Sequence, residues 1–133
     1  MKLLYTTFLV ATLSVPAVAH HSISKSFDEN KTTTLHGVIT KIEWANPHVN
    51  LSMDVKDVNG AVTKWKISLA APNALYRDGI RPEMFDVMKT SSAVIWPARD
   101  GSSFGTGRTL TSADGRILDV HDKWGDGEPK VPR

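Results

Sequence analysis

"HVNLSMDVKDVNGAVTKWKISL", residues 48–69, holds two runs that alternate with period two. In the first, Val49, Leu51, Met53 and Val55 fall on one face, and His48, Asn50, Ser52, Asp54 and Lys56 fall on the other. Successive side chains of a strand point to opposite faces, so this pattern predicts a half-buried β-strand. The second run places Thr63, Trp65, Ile67 and Leu69 inward and Lys64 and Lys66 outward. Asn59-Gly60 between them suits a tight hairpin turn.

Upstream, "TTTLHGVITKIEW", residues 32–44, is a long strand candidate whose alternation slips at Gly37. A glycine inside a strand often marks a bulge or a strong bend, and a strand bent there can serve both sides of a small barrel. Asn46-Pro47 signals a turn. Downstream, "APNALYRDGI", residues 71–80, reads as one or two helical turns opened by Pro72 or Asn73 and closed by Gly79. Residues 81–90 carry no clear period. "SSAVIWPA" is a strand ended by Pro97, and "RDGSSFGTG", residues 99–107, reads as a glycine-rich loop. "RTLTS" and "RILDVHD" flank Ala113-Asp114-Gly115 as a final hairpin. Three strands, one short helix and then further strands predict an all-β fold: a small OB-like antiparallel β-barrel over residues 32–123. A plain antiparallel sandwich is the alternative.

The ends bound the rest. Lys2, the apolar run Leu3–Val15, Pro16 and the small-x-small site Ala17-Val18-Ala19 read as a secretory signal peptide, residues 1–19. The run is too short for a membrane span, which needs about 20 apolar residues. Residues 20–31 read as an arm pinned to the body by Phe27, and residues 124–133 as a disordered tail. The chain carries 16 Lys and Arg against 14 Asp and Glu, and Lys2 leaves with the signal. Near-neutral charge argues against nucleic acid as a partner. With no cysteine, disulfides, thiolate metal sites and cysteine nucleophiles are excluded. The expected location is the periplasm or outside the cell.

Cleavage after Ala19 exposes the α-amino group of His20 in "PAVAHHSIS", residues 16–24. That amine and the His20 imidazole can chelate one ion. A third nitrogen completes a T-shaped site that suits Cu(II), which favours tetragonal nitrogen and oxygen donors. His48, outward-facing and just after a turn, is the distant candidate, with His21 as substitute. His36 or His121 could take its place, and Asp28 or Glu29 could add an oxygen. Zinc through His20, His21 and His48 is the runner-up. Set against this, two histidines are an ordinary polar start, and His48 could simply brace the Asn46-Pro47 turn. The competing reading is a metal-free scaffold that binds a protein or saccharide through Trp44 and Asn46. Trp65, on the inward parity, reads as core, and the favoured reading of Trp44 and Trp96 is as caps on the barrel core.

No reaction is legible. Residues 102–109, "SSFGTGRT", half-resemble a phosphate loop, but Ser102 stands where the first glycine belongs and Arg108 where the lysine belongs. No strained nucleophile elbow accompanies the Ser, His and Asp residues. Asp54, Asp57 and Asp78 form no carboxylate pair. The expectation is a binding module for metal capture or delivery, with no catalytic residues.

"AHHS", "GVITKIEWANPHV" and "PNALYRDG", continued by "WPARDGS" and "ADGRIL", resemble a family of small exported bacterial proteins, the domain of unknown function DUF6152. The block around Trp44, Asn46, Pro47 and His48 is the most specific part. The resemblance implies export and a compact β domain, and supplies no catalytic residues. The chain departs from the pattern at "MFDVMKTSSAV", where a KPGD-like turn would lead into the fourth strand.

Overall fold

A computed structural model describes residues 26–123. The elements are β1 (Thr33–Glu43), β2 (Asn50–Lys56), β3 (Val62–Ser68), α1 (Pro72–Arg77), a 3-10 turn (Pro82–Met84), β4 (Thr90–Pro97), β5 (Phe104–Thr111) and β6 (Ile117–Asp119). Neighbours run β3-β2-β1-β4-β5-β6, and β3 also pairs in parallel with β5 through Lys66, Ile67 and Ser68 against Phe104, Gly105 and Thr106. That pairing closes a five-stranded barrel, with β6 added along the second half of β5. The OB-like barrel read from the sequence is therefore the fold. Its one α-helix among the described residues stands between the third and fourth strands. Among the same residues no helix is long and apolar enough to cross a membrane.

Closure depends on β1. Its first half, Thr33–Val38, pairs with β4, and its second half, from Gly37 on, pairs with β2. Gly37 and Val38 bond on both sides. A Cβ on Gly37 would collide with the carbonyl of Asp54, so the slip in the sequence marks a close approach between strands. The bulge comes three residues later. Ile39 faces Met53 and Lys41 faces Ser52, which leaves Thr40 as the extra residue.

Alternation fills the interior. Leu35, Ile39, Val49, Leu51, Met53, Ile67, Leu69, Ala93, Ile95, Leu110, Leu118 and Val120 are all buried. Ala74 and Leu75 of α1 join this core, with Ile80 and Phe85 behind them. The helix begins on Pro72, whose missing N–H costs nothing at a helix start, and stops where Gly79 takes a φ of 79°.

Two expectations need correction. The glycine-rich stretch is a loop only as far as Ser103. Gly105 and Gly107 lie inside β5 and are buried, because Cβ atoms there would press on Ile95 and Leu69. These glycines thin the wall where β3, β4 and β5 meet, a role that composition does not distinguish from a turn. The hairpin after β2 is also shifted by one residue. The Gly60 N–H donates to the Asp57 carbonyl, so Val58 and Asn59 form the corners and Gly60, at φ 84°, follows them. The Asp57 carboxylate accepts from the N–H groups of Asn59 and Ala61 and stiffens this turn.

The departure from the family pattern has a structural counterpart. Asp86-Val87-Met88-Lys89 forms a turn closed by the Lys89 N–H on the Asp86 carbonyl, with Met88 at φ 66°. Positive φ at the third residue of a turn favours glycine. Met88 is held there by its N–H, which donates to Ile39 at 2.7 Å beside the bulge, while its side chain is 72% exposed. Met88→Gly is expected to stabilise the fold by about 0.5–1 kcal/mol, since a left-handed non-glycine residue is strained. A raised urea midpoint at unchanged slope would show this. Gly37→Ala is expected to destabilise by about 2 kcal/mol through forced separation of β1 from β2, read in the same urea experiment.

Candidate metal site

The backbone around His48 is a three-chain junction. The Val49 N–H donates to Ala70, Leu69 donates back to Val49, and Ala70 donates to Val120. These bonds lock the start of β2, the end of β3 and the segment after β6 side by side. His48 precedes this ladder, just after a cis Asn46–Pro47 peptide. Its Nδ1 lies 3.1 Å from the Leu69 carbonyl oxygen. A carbonyl can only accept, so Nδ1 carries a proton, and in the neutral ring Nε2 is then the nitrogen with the lone pair. A histidine fixed this way through one nitrogen is oriented to bind a metal through the other. The Asn50 side-chain amide donates to the His48 carbonyl and further fixes the residue.

His48 opens onto a pocket of about 240 Å³ whose lining includes Ser26, Phe27, Leu69, Phe104 and Asp122. The arm therefore reaches the body at this pocket. Phe27 is buried with its ring centroid 5.2 Å from that of Phe104. Phe27 bridges to Ala98, the Asp28 N–H donates to Pro97, and the Arg99 N–H donates to Ser26. The expected Phe27 anchor is thus present. His20 and His21 lie outside the described residues, as do the signal peptide and the tail.

The other candidates are dispersed. His36 is exposed on β1 opposite Ser92, beside a separate groove that includes Val62 and Met88. His121 directs Nδ1 to the Asp119 carboxylate at 2.6 Å, and Asp119 also pairs with Lys123, which reaches Asp78. Asp28 forms ion pairs with Lys31 and Arg99, and Glu29 is exposed. The carboxylate at the His48 pocket is Asp122, which sequence reasoning passed over. Its only signal was its place two residues after Val120, whose carbonyl joins the junction. Among the described residues no three His, Asp or Glu side chains converge on one point.

Trp44 packs edge-on against Tyr76 and Phe85, with centroids at 5.5 and 5.8 Å, and its Nε1 is buried without a partner. Asn46 is exposed. The indole thus lies among the residues behind α1, and Asn46 stands apart at the turn. Trp96 stacks under the Arg108 guanidinium at 3.9 Å. The phosphate-loop-like stretch is a turn running into β5, with no helix after it among the described residues.

Along the 119–123 segment the charges hold one another. Burial raises the pKa of Asp119, but hydrogen bonds from His121 and Lys123 together outweigh it and leave the group below the ordinary carboxylate value. Burial lowers that of Lys123, and the bonds to Asp119 and Asp78 reverse this to a net rise. A depressed carboxylate stabilises the fold above its unfolded value and loses that contribution as pH falls through the folded one. Asp119→Asn should therefore lower stability at pH 7, with the gap to the parent closing as pH falls below about 4. Urea unfolding at the two pH values measures the gap.

The model of a family of unknown function, DUF6152, matches residues 8–108, and the chain belongs to that family. No curated protein and no solved structure matches the chain.

Proposed function

We propose that this chain is an exported binding module that captures or delivers Cu(II), with the ion held by the mature N-terminal histidine and His48. Signal cleavage after Ala19 would free the amine of His20. The amine and imidazole of His20 supply two nitrogens and Nε2 of His48 the third, with His21 as the substitute donor. Such a nitrogen set favours copper over zinc, which is the runner-up ion.

The observation that carries this reading is the shared pocket. His48, with Nδ1 already engaged, faces the same cavity as Ser26 and Phe27, where the arm joins the body. His20 lies six positions before Ser26. An extended chain spans up to about 3.5 Å per residue, so His20 is tethered within roughly 20 Å of the pocket. The Phe27 anchor sets this limit.

The test is a Cu(II) titration of residues 20–133, with electron paramagnetic resonance, beside the same chain carrying one extra N-terminal alanine. Expected is one tightly bound ion with nitrogen hyperfine structure, lost in the extended chain and weakened in His48→Gln. Equal weak binding in all three would return the protein to the scaffold reading, with a protein or saccharide partner.

A further inference from the structure

One edge of the sheet is left open. β6 is the last strand in the order, and its strand partner is β5. The ladder fixes which of its backbone groups are used. The Ser112 N–H donates to the Arg116 carbonyl, the Val120 N–H donates to the Arg108 carbonyl, and Leu118 stands opposite Leu110 between them. Alternate residues of an antiparallel pair exchange the bonds, so Arg116, Leu118 and Val120 face β5. Ile117 and Asp119 therefore point their N–H and C=O groups away from the sheet, about 7 Å apart along the strand. No described strand pairs with that side of β6. The Ile117 side chain beside these groups is 71% exposed.

A cleft of about 600 Å³ lies along this edge. One wall is β6 itself, and the other is the chain at residues 78–80, where α1 ends. Lys123 ties the two walls together, with Nζ 3.0 Å from Asp119 and 3.2 Å from Asp78. That bridge fixes the width of the cleft at one end. Ile80 and Leu118 are buried and Met84 packs on the same core, so the inner side of the cleft is apolar. The first half of β3, residues 62–65, is also unpaired on one side, but it carries Lys64, and lysine on an edge opposes strand addition.

We infer that this cleft takes an extended segment of another protein, which adds to β6 as an antiparallel strand. The open groups decide the class of occupant. Two N–H and two C=O groups at strand spacing are matched in full by an extended polypeptide backbone. The register decides its side chains. The residue opposite Leu118 points inward, toward Ile80 and Met84, and is apolar. The residue opposite Asp119 lies beside a carboxylate and is basic, since opposite charges across a strand pair attract. The residue opposite Ile117 covers an exposed aliphatic side chain and is apolar. Read from its N-terminus, the segment is basic, apolar, apolar. The cleft shares no lining residue with the His48 pocket, and the inference does not rest on the copper reading.

The probe is the acetylated, amidated peptide Thr-Lys-Val-Ile-Thr, added at millimolar concentration to isotope-labelled residues 20–133, with amide hydrogen exchange followed by NMR. Before addition, the amides of Ile117 and Asp119 should exchange fast and those of Leu118 and Val120 slowly. The peptide should slow Ile117 and Asp119 at least about tenfold and leave the amides of β2 unchanged. N-methylation of the peptide's Lys and Ile, whose N–H groups meet β6, should abolish the effect. N-methylation of its Val, whose N–H points away, should not. Ile117→Pro removes one outward donor without touching the ladder to β5, and should weaken binding about tenfold. If that variant fails to fold by circular dichroism, the N-methylated peptides decide alone. No slowing of the two amides by the unmodified peptide overturns the inference, as does the same result from both N-methylation patterns. A concentration-dependent dimer in sedimentation, with both amides already protected, also overturns it, because a second copy of the chain then holds the edge.

Discussion

The fold depends on one strand that belongs to two sheets. β1 pairs with β4 over its first half and with β2 over its second, and the exchange happens at Gly37 and Val38. A barrel of five short strands can close only if one strand bends sharply enough to pass from one neighbour to the other. Here two devices share the bend. Gly37 lets the Asp54 carbonyl approach where a side chain would block it, and the bulge at Thr40 adds twist three residues later. Once β1 is bent, β4 and β2 diverge from it, and the parallel contact of β3 with β5 is what remains to seal the wall. Gly105 and Gly107 allow that seal by leaving room for Ile95 and Leu69.

The same closure creates the pocket. Strand β5 has one edge to give, and it divides that edge between β3 at its start and β6 at its end. The segment leaving β6 must then cross toward the end of β3, where Val120 meets Ala70. That crossing puts three chain segments at the His48 position, and the arm arrives as the fourth through Phe27 on Phe104. A binding site assembled this way is rigid at its base, because each wall is a strand end tied into the barrel. On the proposed copper reading, its remaining donors would come from the arm.

How far the sequence could carry this differs by element. The hairpin of β2 and β3 was legible because its apolar residues alternate cleanly over Val49–Val55 and again at Trp65, Ile67 and Leu69. The helix was legible from Pro72 and Gly79, which do local jobs that only a helix end needs. Strand β5 was half hidden. Gly105 and Gly107 are there because of Ile95 and Leu69, residues distant in sequence, and a nonlocal packing demand leaves no local signature. The anchor at Phe27 could be read from one apolar residue in a polar run. Asp122 could not, because its place at the pocket comes from the meeting of strand ends at Ala70 and Val120. His48 lay between these cases. Its outward parity was visible, but the bond from Nδ1 to Leu69 that frees Nε2 was not.

The arm also bears on why such a site would prefer copper. On the copper reading, tethering the His20 donors within roughly 20 Å of the pocket would give an effective concentration in the mM range, so the second half of the chelate would form at little further cost. The first half is the amine and imidazole of a single residue, which close a small ring around one ion. Zinc would gain less from such an arrangement, because it favours a tetrahedron, whereas an amine–imidazole chelate joined by a third nitrogen suits the tetragonal preference of Cu(II). On the proposed copper reading, selectivity would come from geometry fixed by the chain: the Leu69 carbonyl sets the direction of the His48 ring, and Phe27 fixes the arm to the body at Phe104. Loosening Phe27 would enlarge the volume that His20 explores and lower affinity for any ion, while turning the His48 ring would change which ion is preferred.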